Sequence, residues 1–300
     1  MGKASKRRST RSAGSRDPSG SRAAPAPFVV RPFEGLPGET EWVAMRELVP
    51  AATAQISLAP AAVPEGSPAT VATIATVLPL AWPALHRNDG EVLVATQSGA
   101  SSGDASRDLA AALLLALAAD EGTPVVTVPP PTVETPRLQE LLDLEAPFEV
   151  TVHDGFDFWV GEAELDDEGR ESLQRANESS IPTSRVEGVP SAYWCDINGR
   201  TYVRWVLPHD EDAATDALAR LLATDSSRLV DGSRLLGAFR ASGLLVPVWE
   251  VPVDDDPGSF TDAVLTMQGR VDEALATQAA LTPQERRARA GLLNRQVTLR

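Results

Sequence analysis

Three hundred residues with 43% hydrophobic content suffice for a buried core and allow one large domain or two of ordinary size. A single cysteine, Cys195, excludes an intramolecular disulfide framework, and no apolar run reaches the roughly 18 residues that would span a bilayer. The formal net charge of −15 is segregated: residues 1–31 carry net +7 and residues 282–300 net +4, which leaves −26 on the 250 residues between them.

The N-terminus is basic but lacks the apolar segment of a secretory signal, and Lys6 breaks the myristoylation pattern that Gly2 would begin. Residues 1–27 are rich in Ser, Arg, Gly, Ala and Pro without apolar periodicity, which predicts a disordered tail. Lys3, Lys6, Arg7, Arg8 and Arg11 are candidate contacts for RNA, the ribosome or another polyanion; the alternative is a solubilising tail without a specific partner. No aromatic interrupts the charges, so binding would engage phosphates and not stacked bases. Lysine occurs only at positions 3 and 6 while 25 basic residues are Arg. With abundant Ala, Val and Asp, that bias points to a GC-rich coding sequence and a bacterial, cytoplasmic protein.

Order is expected from Phe28. Trp42, Met45 and Val49 recur at helical spacing and predict a helix over 39–49, stopped by Pro50. Strand-like runs follow at 55–58, 71–80 and 91–97, the last two flanking the turn Asn88-Asp89-Gly90. The Ala/Leu-rich segment 107–120 predicts a helix buried around most of its circumference, capped by Asp104 or Ser106. A β-rich run at 123–128 ends at three prolines. Residues 138–144 read as a short helix, 148–160 as a strand or a bent pair around Asp154-Gly155, and 168–176 as a polar helix.

The strongest local signal is Asn198-Gly199 between the β-rich halves of Tyr193–Leu207, a two-residue hairpin turn. Helices are predicted at 212–223 and at 234–241, the latter ended by Gly243, and a closing strand at 244–251. Phe260, Val264, Met267, Val271 and Leu275 form the apolar stripe of a long helix, and Thr282-Pro283-Gln284-Glu285 is a capping box opening a basic helix. That basic helix either docks on the acidic body or reaches an external polyanion.

The order helix, hairpin, helix, strand occurs twice. The predicted class is therefore α+β, with two similar halves packed into one globule: a tail (1–27), a first unit (28–131), a connecting segment (132–161), a second unit (162–253) and C-terminal helices (254–300).

One catalytic pattern occurs. Gly99-Ala100-Ser101-Ser102-Gly103 matches G-x-S-x-G between a predicted strand and helix, making Ser101 a candidate nucleophile. A nucleophile elbow needs its helix to begin at once and its strand to lie in a parallel sheet; here Asp104-Ala105-Ser106 intervene and the strand reads as half of a hairpin. His86, His153 and His209 are isolated, without metal-ligand spacing. His153, Asp154 and Asp157 suggest a small acid/base or metal group, although an Asp-Gly turn explains them more simply, and Asp254–Asp256 lack the alternation of a calcium loop. Cys195 reads as a buried small hydrophobe. No phosphate-binding motif occurs, so no cofactor is implied. Trp194 and Trp205 read as core, with the alternative that they line a partner-recognition groove on the hairpin.

The segments 32–54 (PFEGLPGETEWVAMRELVPAATA), 243–252 (GLLVPVWEVP) and 281–300 (LTPQERRARAGLLNRQVTLR) resemble an uncharacterised domain-of-unknown-function family of actinobacteria. The resemblance runs from Phe28 to Arg300, implies a bacterial cytosolic setting and carries over no catalytic role. The expectation is a non-catalytic binding or adaptor protein; the alternatives are a serine hydrolase using Ser101 and a chaperone-like protein-binding module.

Overall fold

The structure, a computed structural model, describes residues 23–63, 69–98, 102–161, 165–253 and 255–294. Helix α1 (Glu39–Glu47) buries Trp42 and Met45, with Val49 buried just past its end, as their spacing predicts. Trp42 is sandwiched between Phe33 and Phe148, at ring-centroid distances of 5.7 and 4.2 Å.

The first sheet combines β1 (Ala52–Ser57), β2 (Val71–Ala75), β3 (Ala84–His86), β4 (Val92–Ala95), β5 (Thr123–Val125) and β6 (Val150–Val152) in the order β5-β3-β4-β2-β1-β6. All neighbours are antiparallel except β2 and β4. The run expected over 71–80 stops at Ala75, and the strand across the Asn88–Gly90 turn is β3. Leu80 and Ala81 both take positive φ (52° and 55°) between Pro79 and Pro83, which breaks the extended run. Helix α2 (Ala105–Leu117) is capped by Asp104, whose side chain accepts from the Ser106 and Arg107 amides. The short α3 (Leu138–Leu141) docks on its first turn, where the Leu138 amide donates to Ser106 Oγ at 2.9 Å.

In the second half the exposed helix α4 (Asp167–Glu178) precedes an entirely antiparallel sheet ordered β10-β11-β9-β8-β7. Its strands are β7 (Thr183–Arg185), β8 (Ala192–Ile197), β9 (Arg200–Trp205), β10 (Arg234–Ala241) and β11 (Leu244–Val251), with α5 (Glu211–Ala223) between β9 and β10. Asn198 and Gly199 take φ of 55° and 76°, the turn that the sequence predicts, and Ile197 pairs with Arg200.

The helix expected over 234–241 is strand β10. A bulge between Leu235 and Gly237 breaks its alternation, so the apolar positions mimic helical spacing. What read as a helix-ending glycine is instead the second residue of a tight hairpin turn, Ser242-Gly243, with φ of 46° and 82°. A side chain at 243 would press on the Val30 carbonyl at 2.7 Å.

One face of the second sheet packs on α5 and on the C-terminal helices α6 (Thr261–Ala276) and α7 (Pro283–Asn294), through Trp205, Leu218, Trp249, Val264, Met267 and Val271. The opposite face contributes Tyr193, Val206, Ala241, Leu244 and Val246 to the core built by α1, α2 and the first sheet, so the halves form one globule. The two halves differ in construction: the first sheet contains the parallel pair β2–β4 and α2 is followed by the single strand β5 beside β3, whereas the second sheet is antiparallel throughout and α5 is followed by the hairpin β10–β11, of which β11 adds beside β9. The capping box at Thr282 and Glu285 forms, and α7 docks on α5: Arg289 pairs with Asp212 and Asp216, both at 2.6 Å.

Candidate functional site

The two faces of the first sheet differ in chemistry. Ala52, Ala54, Ile56, Ala72, Ile74, Val92 and Val94 point into the shared core. Alternation places Thr53, Gln55, Thr73, Leu93 and Thr151 on the other face. One end of this outer face is roofed by Trp82, Phe158 and Trp159, which pack on Ala75, Leu85 and Leu93. The remainder floors a groove of about 480 Å³, bounded by Arg87, Glu91, Glu149, Phe158 and Gly161. Its volume lies within the range typical of ligand sites, roughly 300–1,000 Å³.

The groove's polar groups are held in place. Thr73 Oγ1 donates to Glu91 Oε1 (2.5 Å), and the other Glu91 oxygen pairs with Arg87. Arg87 also donates to Asp89 Oδ2 (2.8 Å) and to the Phe158 carbonyl (3.0 Å), which fixes the roof to the sheet. Gly161 permits this arrangement: a Cβ there would stand 2.6 Å from the guanidinium carbon of Arg87.

Thr53 Oγ1 and His153 Nε2 are 2.8 Å apart, and the His153 ring lies 5.1 Å from the Phe158 ring. Burial holds the imidazole below its ordinary pKa, against the opposing fields of Asp154 and Asp157. A hydroxyl within hydrogen-bond reach of a neutral imidazole is half of a nucleophile–base arrangement. No carboxylate accepts from His153 Nδ1 among the described residues, so the ring lacks the third group that would orient it.

The structure places the other histidines elsewhere. His86 Nδ1 donates to the Ala119 carbonyl (2.8 Å), and His209 Nε2 lies 3.9 Å from Asp272. Gly99, Ala100 and Ser101 lie outside the described residues, as do Lys3, Lys6, Arg7, Arg8 and Arg11. Beside Ser98 and Ser102 is a small pocket of about 100 Å³ walled by Pro83, Leu109, Val128 and the three prolines, with Asp108 also lining it and no histidine among the described residues there. The Asp108 carboxylate accepts from the Ser102 amide (3.1 Å), and α2 begins only at Ala105. The expectation that the strand before residues 99–103 is only half of a hairpin needs correction: β4 pairs antiparallel with β3 but also parallel with β2.

Cys195 is buried, and burial raises its thiol pKa. Trp205 is only 2% exposed, with Nε1 donating to the Pro190 carbonyl (3.1 Å). Trp194 lies beside it on the face that meets the helices. Both hairpin tryptophans thus lie on the side of the sheet that packs on the helices, Trp205 buried and Trp194 partly buried. Among the described residues no group of three or more His, Cys, Asp or Glu side chains is placed to hold a metal ion, and no helix is long and apolar enough to cross a membrane.

Sequence reasoning missed a second polar cluster, at the joint between the halves. Glu41, in the first turn of α1, accepts from Arg185 Nη1 (2.7 Å), the Ser191 amide (3.1 Å) and Tyr193 OH (2.5 Å). Ser191 Oγ donates to Thr40 Oγ1 (2.7 Å). Burial, reinforced by the Glu41 charge, holds the Tyr193 hydroxyl well above its ordinary pKa. At the other end of α1, buried Arg204 donates to the Leu48 carbonyl (2.9 Å) and lies against the Cys195 thiol. No carboxylate pairs with Arg204 among the described residues, so the negative end of the α1 dipole is its local counter-charge.

The chain matches, over residues 32–300, the model of a family of unknown function, DUF5926, and it belongs to that family. No curated protein and no solved structure matches it.

Proposed function

We propose that this chain is a non-catalytic, cytoplasmic binding or adaptor protein of a bacterium, and that Lys3, Lys6, Arg7, Arg8 and Arg11 give it contact with a polyanion such as RNA. The observation that carries the reading is where the reactive side chains are spent. Glu41, Arg185, Tyr193 and Arg204 are consumed in the joint, Arg87 and Glu91 brace the groove, and the three histidines stand in three separate places. Among the described residues, what the first sheet leaves accessible is a groove of hydroxyls, amide and carboxylates. Rigid sheet-borne polar groups suit recognition.

The charge pattern supports the polyanion contact: a net +7 over the first 31 residues, on a body that repels phosphate, favours encounter through the tail alone. The test is fluorescence anisotropy of the full chain with labelled poly(U) across ionic strengths. Five phosphate contacts predict a log–log salt slope of about −3.5. Substituting Lys3, Lys6, Arg7, Arg8 and Arg11 by Glu should abolish binding. Absence of binding at low salt, or binding that survives the quintuple substitution, overturns the reading.

A further inference from the structure

Strand register arranges the polar groups of the groove on the outer face of the first sheet. Gln55 stands opposite Thr73 across β1 and β2, and Thr53 stands opposite Thr151 across β1 and β6. The β1–β6 register carried one residue further sets Glu149 beside Gln55. Glu149, Gln55 and Thr73 therefore form one row over three strands, with Thr151 and Thr53 in the next row on the same face. Neighbouring strands lie about 4.8 Å apart, close to the separation of alternate hydroxyl oxygens around a pyranose ring. The half-buried ring of Phe158 stands at the groove's edge.

The hydrogen-bonding capacity these groups keep decides the ligand. Gln55, Glu149 and Thr151 are exposed, and their side chains make no hydrogen bond or ion pair among the described residues. Thr53 Oγ1 and Thr73 Oγ1 keep acceptor capacity beyond their bonds to His153 and Glu91. Threonine and glutamine side chains both donate and accept, and a ligand made of hydroxyls asks for that at every position. Other ligand classes fit less well. Arg87 and Glu91 pair with each other, so a cation meets one unpaired carboxylate, Glu149, which binds weakly where it is exposed, and it leaves the amide and hydroxyls unused. An anion meets Glu149 and Glu91, of like charge. An apolar ligand finds Ala54, Leu93 and the Phe158 ring, and it would strip water from the polar row without replacing the lost hydrogen bonds. We propose that the groove binds a neutral saccharide, whose hydroxyls bond to Gln55, Glu149, Thr151 and Thr73 while its apolar C–H face packs on Phe158. A volume of about 480 Å³ accommodates a disaccharide. The proposal rests on the binding reading above and names the ligand class of its groove.

The test is saturation-transfer difference NMR of the full chain with maltose, cellobiose, lactose and N,N′-diacetylchitobiose. Saturation should pass to the ring protons of at least one of the four. That disaccharide should bind about tenfold more weakly, the effect of one lost hydrogen bond, to each of Gln55→Ala and Thr151→Val. Both side chains are exposed, so neither variant should move the thermal unfolding midpoint, which separates a lost contact from a lost fold. N-acetylargininamide serves as the cationic control. No transfer to any of the four sugars, binding undiminished in either variant, or a response from N-acetylargininamide alone that Glu149→Gln removes would each overturn the proposal. The groove and the tail fail separately, because these variants leave Lys3, Lys6, Arg7, Arg8 and Arg11 untouched. A chain that binds a disaccharide but not poly(U) keeps the groove's ligand and loses the polyanion contact, and one that binds poly(U) alone does the reverse.

Discussion

Replacing Glu41 by alanine should weaken the whole fold, because this carboxylate joins the two halves. The change removes the acceptor for Arg185 Nη1, the Ser191 amide and Tyr193 OH at once. Removing one partner of a buried ion pair costs about 3–5 kcal/mol, since the other charge stays behind. The Arg185 side chain is a quarter exposed, so water recovers part of its solvation, and a loss near the lower end, about 3 kcal/mol, is expected. At about 2–3 °C per kcal/mol for a chain of this size, the midpoint of thermal unfolding should fall by roughly 6–9 °C. A double-mutant cycle separates the pair from the cavity: Glu41→Gln and Arg185→Met, alone and together, should show a coupling of about 1–3 kcal/mol. Calorimetry and urea unfolding followed by tryptophan fluorescence both measure this. A loss under about 1 kcal/mol for Glu41→Ala, or strict additivity in the cycle, would refute the assignment of the joint to this carboxylate.

Further outcomes follow from the same geometry. Tyr193 has a folded-state pKa raised well above its ordinary 10.0, mainly by burial, so the stability it contributes is complete below about pH 10 and is lost as pH rises above that unfolded-state value; Tyr193→Phe should flatten the alkaline limb of a stability–pH curve, and an unchanged limb would count against the burial. Gly243→Ala meets the Val30 carbonyl and forces φ of 82° on a residue with a side chain, and should cost about 1–3 kcal/mol, where a neutral result would contradict the turn. Trp205→Ala should cost about 3–5 kcal/mol of stability, as expected for a core residue and not for an exposed recognition side chain. Cys195 should resist thiol reagents in the native protein and react once it is unfolded, because it is buried and its thiol pKa is raised.

The legible parts of this fold are those where one local signal meets no competitor. Asn198-Gly199 needs only positive φ at two residues, and the stripe Phe260, Val264, Met267 and Val271 needs only helical spacing; both appear as expected. Strand β10 reads as a helix because its bulge destroys the alternation and Ser242-Gly243 serves a hairpin as readily as a helix end. Strand β3, three residues long, has no local signal: tertiary pairing with β4 and β5 makes it a strand, and nothing in Ala84-Leu85-His86 alone does so.

The candidate groove was less legible still. His153 stands beside Asp154 and Asp157 in the sequence, but its hydrogen-bonding partner Thr53 lies 100 residues earlier, and Arg87 meets the Phe158 carbonyl across 71. No spacing rule reaches over such separations. They come together only because β6, from the connecting segment, adds to β1 and brings the following aromatic turn over the sheet. The Glu41 cluster was invisible for the same reason, since Arg185 is 144 residues away.

The joint and the groove divide the chain's polar chemistry between two duties. A joint built from hydrophobic residues alone would hold the halves at least as strongly, because desolvating Glu41, Arg185 and Arg204 offsets much of what their pairing contributes. What the polar groups add is register. Glu41 at the start of α1 and the Leu48 carbonyl at its end are met by arginines on β7 and β9, so a shift of the helix along the second sheet leaves a buried charge unpaired at one end or the other. The same helix packs beneath the first sheet, with Thr96 Oγ1 and Gln97 Nε2 donating to the Met45 carbonyl. Fixing α1 therefore fixes the first sheet as well, including the outer face where Thr53, Thr73 and Glu91 are displayed. A groove whose floor is held this way is preorganised for recognition, and the Glu41→Ala and Glu41→Gln variants test that link too: if the joint sets the groove, hydrogen exchange of the β1 and β2 amides should quicken in both at temperatures well below their unfolding midpoints, and unchanged exchange would show that the first sheet holds its shape alone.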